Sequence, residues 1–492
     1  MTSKTLTSPV SLNYLAALRG IKPRAAGTAF TYADLSCGAP EQLACLAASN
    51  PEGQFYGFVA DDGARVAAEK LASERGVSNV MFKVAKLGAL NPESLPKLDY
   101  ICADLTATST VDSDRKAVCQ LAAEKLTPNG MLNLRYKTFA DDKGALKFLV
   151  SEFAPEMNAE QAVAFLGELK LLGDKFLARH DDIAAQLEDA LKSGVPDAFF
   201  SLWDEEKPAS ASFETSLALR SQGMTYLGDE NIAENYMEMS LTPDAQKFME
   251  QSVGHALYEP LKDYALARQV RSDVWVKSVL SGEATMPELF GGFVYGVTMP
   301  HDKIPVVVTL PGTTVSLAAP LYQKLIDVLT LVPASIGDFL SHPDGKGYPP
   351  SEVVGALQIL IACGIAQPMR GSTTNGSMKS IDKPKLVGSY NRFLGKTPIT
   401  SSVTWMASPV LGAGIAMTPR DALVIQALDR VGLADSVSAL MPELERLAKN
   451  PAEASRIMDT TEPTPEMAQG MITDAVTQSI LRWYAYGVLE AA

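Results

Sequence analysis

The chain has 492 residues, room for roughly two to four domains with separate cores, and its formal net charge of −14 disfavours nucleic acid as a main partner because phosphate binding needs a positive surface. The same charge keeps a protein soluble and suits a Lys-rich protein substrate or partner through electrostatic steering. Five scattered cysteines without Cys-x-x-Cys spacing, four distant histidines, no run near 18 apolar residues and no apolar leader in Met1–Pro9 lead to the expectation of a cytoplasmic protein with no metal and no membrane span.

In chain order, Ser8-Pro9 followed by Leu12, Leu15 and Leu18 reads as a short amphipathic helix ahead of Ile21-Lys22-Pro23. Phe30–Leu35 is a strand, Ser36-Cys37-Gly38-Ala39-Pro40 a turn of small residues, Glu41–Ala48 a helix, and Asn50-Pro51-Glu52-Gly53 a turn into a second strand, Gln54–Ala60. Strand, small-residue turn, helix and strand within about thirty residues form the opening unit of a doubly wound parallel sheet. In such a unit the first turn sits against the ligand, and glycine there lets the backbone approach closely. Gly63–Arg75 follows as a helix with Val66, Leu71 and Ala72 inward, stopped by Gly76. Asn79–Ala85 and Leu98–Asp104 are the third and fourth strands, and Leu105–Val111 after the fourth carries no aromatic residue. Ser113–Lys125 is a helix, and Leu126-Thr127-Pro128-Asn129-Gly130 turns into a fifth strand, Met131–Tyr136.

Leu35–Pro51 and Phe55–Phe58 resemble motifs I and II of class I S-adenosyl-L-methionine (AdoMet)-dependent methyltransferases. The resemblance is closest to the bacterial protein-lysine methyltransferases that carry a methyltransferase regulatory domain. Cys37, Gly38, the helix Leu43–Ala48, Asn50-Pro51 and Tyr56-Gly57-Phe58 fit the family's spelling. Ser36 stands at its first glycine, Pro40 at its third, and Val59 at its ribose-binding aspartate. A serine side chain intrudes where bare backbone would face the cofactor, and proline removes one N–H donor. Losing the carboxylate removes the bidentate acceptor for two ribose hydroxyls; Asp61 and Asp62, just beyond, are the candidates to replace it. The resemblance implies AdoMet as cofactor, held by Asp34, Ser36, Cys37, Gly38, Asp61, Asp62 and, at the end of the fourth strand, Asp104. Where the family has an aromatic-rich segment after its fourth strand and S-Y-N followed by P-G-W after its fifth, Leu134-Arg135-Tyr136-Lys137-Thr138 keeps only the tyrosine. Tyr136 is the candidate catalytic residue, or only an aromatic at a strand end.

Glu152–Ser193 is helical, with Ala162, Phe165, Leu166, Leu169 and Leu172 at three- and four-residue spacing, and Gly194-Val195-Pro196 breaks it. The resemblance implies a subunit contact here, hence a homodimer. Gly223–Glu230 resembles the entry to the family's regulatory domain, and Glu259-Pro260-Leu261-Lys262-Asp263-Tyr264 with Arg268 and Arg271 resembles its E-Q-Y-x-D-F-x-x-x-R-x-x-R. Asp263, Arg268 and Arg271 lie on one helical side, so they read as ion pairs. Leu321–Leu329, Ser335–Leu340 and Ser351–Cys363, then Ile365-Ala366-Gln367, follow winged-helix order, but the third helix has no Lys or Arg and an apolar face, which points to packing rather than DNA. Arg370–Lys379 reads as an exposed loop, Ser408–Gly414 as an apolar turn rather than a phosphate loop, and Pro419–Arg430 and Pro465–Leu489 as closing helices.

The expected fold is α/β: a doubly wound, Rossmann-like methyltransferase sheet (1–150), a helical connection (151–215), a regulatory-type domain (216–315), a winged-helix-like module (316–370) and a mostly helical end (371–492). The function implied is transfer of a methyl group to a protein lysine, an in-line displacement in which positioning of a neutral amine does most of the catalytic work. The alternative is a catalytically silent relative, a pseudoenzyme serving as a protein-binding scaffold.

Overall fold

Parallel strands covered on both faces are buried along most of their length, and Phe30–Asp34 (β1) and Gly53–Val59 (β2) are of that kind, with only Thr31 and Gln54 half-buried. The structure is a computed structural model that describes residues 7–90, 92–107, 111–139, 141–203, 210–254, 257–277, 284–299, 303–370, 382–399, 404–458 and 462–491. It divides into two units, 1–86 with 281–306 and 317–492, and 87–280 with 307–316.

In the first unit Pro9–Leu18 (α1) is capped by the Ser8 hydroxyl, which accepts from the Ser11 N–H. β1, β2 and Val80–Val84 (β3) are parallel in the order β3-β2-β1. Pro40–Ser49 (α2) joins β1 to β2, and Asp62–Glu74 (α3) joins β2 to β3. Gly57 admits α2 to the sheet: a Cβ there would lie 2.7 Å from a Leu43 methyl and 2.8 Å from the Phe82 ring. On α3 the inward residues are Ala68 and Ala72, whereas Val66, expected inward, is 51% exposed. Two residues are about 200° of helix, so the two faces cannot share it.

Further along, Pro320–Leu331, Ile336–Ser341 and Pro350–Ala362 are helices, and the strand after them, Ala366–Arg370, pairs antiparallel with Phe293–Val297. The third helix buries Val353, Ala356, Leu357 and Leu360. Of the loop expected over Arg370–Lys379, Arg370 ends the strand Ala366–Arg370 and the rest lies outside the described residues, as do His255 and His301. Thr404–Ser408 and Ala413–Met417 form a hairpin, so Pro409–Gly412 is a turn between strands rather than a phosphate loop. The hairpin covers α2: Asn50 Nδ2 donates to the Gly412 carbonyl at 2.9 Å, and a Cβ on Gly414 would lie 2.8 Å from Cys45 Sγ. The expected closing helix over Pro465–Leu489 is instead Pro465–Gln478, Ile480–Ala485 and a strand Leu489–Ala491 paired with Pro384–Leu386. Ser479, with φ −118°, and Gly487, with φ +66°, break the helical path.

In the second unit Leu98–Asp104 (β4), Leu126–Lys137 (β5), Val270–Lys277 (β7) and Met224–Asp229 (β6) are ordered β4-β5-β7-β6. β4 and β5 are parallel and joined by Val111–Lys125 (α4); β7 runs antiparallel to both its neighbours. The turn expected ahead of β5 is a bulge in it, between the pairs Leu98↔Leu126 and Tyr100↔Met131, with Asn129 at φ +61°. The Ala159–Leu172 helix buries Ala162, Phe165, Leu166, Leu169 and Leu172, the face read from the sequence, and Gly194 closes the helix Asp181–Ser193 at φ +68°. The half-orders 3-2-1 and 4-5-7-6, with their joining helices, make an α/β, doubly wound, Rossmann-like mixed sheet followed by a largely helical C-terminal region. No helix among the described residues is long and apolar enough to cross a membrane.

Candidate functional site

The candidate residues fall in both units. In the first, β1 ends at Asp34, which is buried, and its Oδ1 accepts from the Ser36 N–H at 3.1 Å and the Ser36 hydroxyl at 3.5 Å. The serine that replaces a glycine is thus tied to the strand end by the carboxylate before it. The Cys37 N–H donates to the Phe58 carbonyl at 3.0 Å, and burial, reinforced by Asp34, pushes the Cys37 thiol well up, so it is a packing group and not a nucleophile. Gly38 faces open space: a Cβ there would meet nothing nearer than the Ser36 carbonyl at 3.8 Å. α2 begins with Pro40, and Ala39 before it offers no side-chain cap.

At the end of β2, Val59 is buried, and the two aspartates beyond it have local tasks. Asp61 is the N-cap of α3, its Oδ1 accepting from the Ala64 N–H at 2.8 Å. Asp62 pairs with Arg65 at 2.9 Å. The pieces near motif I therefore fit an adenosyl cofactor, since Gly38 leaves backbone accessible beside a buried carboxylate. The end of β2 does not fit its ribose, because neither aspartate presents an uncommitted pair of oxygens.

In the second unit Asp104 ends β4. Burial pushes its pKa up, but Thr106, donating from N–H at 2.9 Å and hydroxyl at 2.6 Å, and Arg135, at 2.6 Å, outweigh this and hold it below the ordinary carboxylate range. Arg135 is its partner in the β4–β5 register.

Tyr136 is fully buried and donates its hydroxyl to Asp273 Oδ2. That bond opens a network centred on Arg271. Its Nε reaches Asp273 at 2.9 Å, Nη1 reaches Asp263 at 2.7 Å, and Nη2 reaches Glu259 at 2.6 Å and the Tyr226 hydroxyl at 2.8 Å. Arg268 bonds Asp263 at 3.2 Å and also Glu234, and Ser212 donates to Asp263 at 3.0 Å. Asp263 pairs with both arginines as expected, but not along one helical side: its helix ends at Ala265, Arg268 follows the turn at Ala267, and Arg271 lies on β7. Asp273, Tyr226 and Glu234 escaped the sequence reading. Arg271 and Asp273, two apart on a strand and hence on one face, were the available signal.

Burial raises the Asp273 carboxyl to about 6, against the pull of Arg271, whereas Arg271 and Lys262 overcome burial at Glu259 and lower it to about 2. A carboxylate raised in the fold favours the protonated native state. Asp273 therefore adds stability that is full below pH about 4, its unfolded value, and is lost as pH rises through about 6. Glu259 has the opposite sign and acts only as pH falls towards about 2. Urea midpoints measured from pH 4.5 to 7.5 are expected to fall for the wild type and to fall less for Asp273→Asn. Equal slopes in the two proteins would remove Asp273 as the cause. Among the described residues no group of three His, Cys, Asp or Glu is placed to hold a metal ion.

Residues 208–277, which carry Ser212, β6, Glu259, Asp263, both arginines and β7, match the family model described as a predicted methyltransferase regulatory domain. Over 436 residues, 86% of this chain and 85% of the other, the sequence is 22% identical to an uncharacterised protein of Synechocystis sp.. The fold is similar to that of PKMT2 from Rickettsia typhi, with a TM-score of 0.61 at 15% identity over 97% of this chain and 98% of that one. For PKMT2 in complex with AdoHcy the TM-score is 0.63 at 17% identity, over 98% of each chain. The chain thus has the fold of a class I AdoMet-dependent methyltransferase with a regulatory-like segment.

Proposed function

We propose that this protein is an AdoMet-dependent methyltransferase acting on lysine side chains of a protein substrate, with a weakly held cofactor. The reading is carried by the likeness in fold to PKMT2 in its AdoHcy complex over 98% of both chains, regulatory-like segment included. When bound, the cofactor supplies an electrophilic methyl group on a sulfonium. The chain's own part is positional. Asp34 and Ser36 fix the turn, Gly38 exposes backbone, and Asp104 with Arg135 holds the ends of β4 and β5 together. Tyr136 acts as a positioning residue, since its hydroxyl is bound to Asp273. The net charge of −14 favours a Lys-rich substrate.

A second reading, a silent scaffold of the same fold, is favoured by Val59 and by the commitment of Asp61 and Asp62 to α3. Mass spectrometry of Lys-rich polypeptides incubated with the protein and millimolar AdoMet separates the two. Mono-methyl additions on lysine are expected under the first reading. Their absence, with AdoHcy failing to perturb the protein's amide spectrum, would leave the scaffold.

A further inference from the structure

Within the second unit, a cavity of about 210 Å³ lies where β5 ends at Lys137 and β7 begins at Val270. It is the carboxyl end of a parallel strand, the edge at which open α/β sheets take their ligands. Its volume is below the several hundred Å³ of most cofactor pockets, so its occupant is small.

Five charged side chains line it: Asp263 is bonded to Arg268 and Arg271, Asp141 is bonded to Lys147, and the three that follow have bonding capacity to spare. Arg268 has a side chain only 5% exposed, and its Nη1 and Nη2 are taken by Asp263 and Glu234, while its Nε–H donates to no described residue. Ala267, at φ +48°, makes the turn before it, a conformation in which a non-glycine residue is strained. The Lys137 side chain, in the same lining, has no hydrogen bond or ion pair among the described residues. Among the described residues the Asp142 carboxylate pairs with His180 alone, at 3.9 Å. The apolar part of the wall is Phe139 and Phe176, both buried. An unpaired surface lysine alone is ordinary. A nine-tenths-buried guanidinium with a free N–H, a lysine and a carboxylate around one small cavity with aromatic walls match a zwitterion bearing a short apolar group.

We propose that this cavity binds a free α-amino acid, its carboxylate on Arg268 and Lys137, its ammonium on Asp142, and its side chain against Phe139 and Phe176. The site goes beyond the methyltransferase reading and does not depend on it. Because Arg268 shares Asp263 with Arg271, occupancy adds to the buried network that ties β6 and β7 together.

The test is calorimetric titration of the full chain with each of the twenty L-amino acids, with propionate and propylamine as half-ligands. At least one amino acid is expected to saturate at one per chain, at least tenfold tighter than either half-ligand. Lys137→Gln and Asp142→Asn, both at exposed positions, are each expected to weaken it about tenfold or more, since hydrogen bonds to charged groups are being removed. Circular dichroism confirms that the variants fold. No binding by any amino acid, half-ligands that bind as well as the whole, or wild-type affinity in both variants would each overturn the proposal.

Discussion

Replacing Arg271 by Met is expected to cost about 3–5 kcal/mol of folding stability, the range for breaking a buried ion pair from one side. Arg271 is 1% exposed and donates to three carboxylates, Glu259, Asp263 and Asp273, and to Tyr226. Met keeps most of the volume but leaves those acceptors buried beside too little positive charge. Arg268 reaches only Asp263 among the three. Lys at position 271 should rescue little, because one ammonium cannot replace a planar fork that bonds on three sides. Urea denaturation at pH 7 reads the result. A loss below about 1 kcal/mol would mean that the network stabilises the native chain no more than a packed apolar core does.

The cofactor affinity carries the other large effect. AdoHcy and AdoMet are expected to bind with dissociation constants in the high-micromolar range or weaker. A ribose carboxylate is worth roughly 1.5–3 kcal/mol in charged hydrogen bonds, and each 1.4 kcal/mol is tenfold. Asp61 and Asp62 have little to give in return, being bonded to the Ala64 N–H and to Arg65. The pair Val59→Asp and Ser36→Gly is therefore expected to tighten AdoHcy by tenfold or more in isothermal titration. Low-micromolar binding by the unmodified chain would contradict this account of the β2 end. So would a doubly substituted protein that folds and gains nothing.

What could be read ahead of the structure was local. β4 and the Ala159–Leu172 face follow from contiguous patterns, one the apolar stretch Tyr100–Ala103 between two aspartates and the other a three- and four-residue repeat. Asp263, Arg268 and Arg271 sit within nine positions, so their pairing could be read, although the single helix it was read from ends at Ala265 and a turn and a strand carry the arginines. The bond between Tyr136 and Asp273 was out of reach. It depends on β7 lying antiparallel beside β5, a register that neither strand encodes alone. The Asp61 cap was legible in principle, an aspartate three residues before the N–H it caps. Family spelling drew attention instead to its distance from the missing ribose aspartate. The cavity beside Lys137 could not be read either, since its walls come from segments more than a hundred residues apart.

The hairpin over α2 bears on how the chain is made. The Asn50 side chain bonds to Gly412, 362 positions later. At about 5–20 residues per second of synthesis, roughly 20–70 s pass before that cover leaves the ribosome. Throughout that interval Cys45 and its apolar neighbours on α2 lack the face that later buries them. The helix between the first two strands is thus made long before its cover, an interval in which its apolar face is open to other chains and to chaperones.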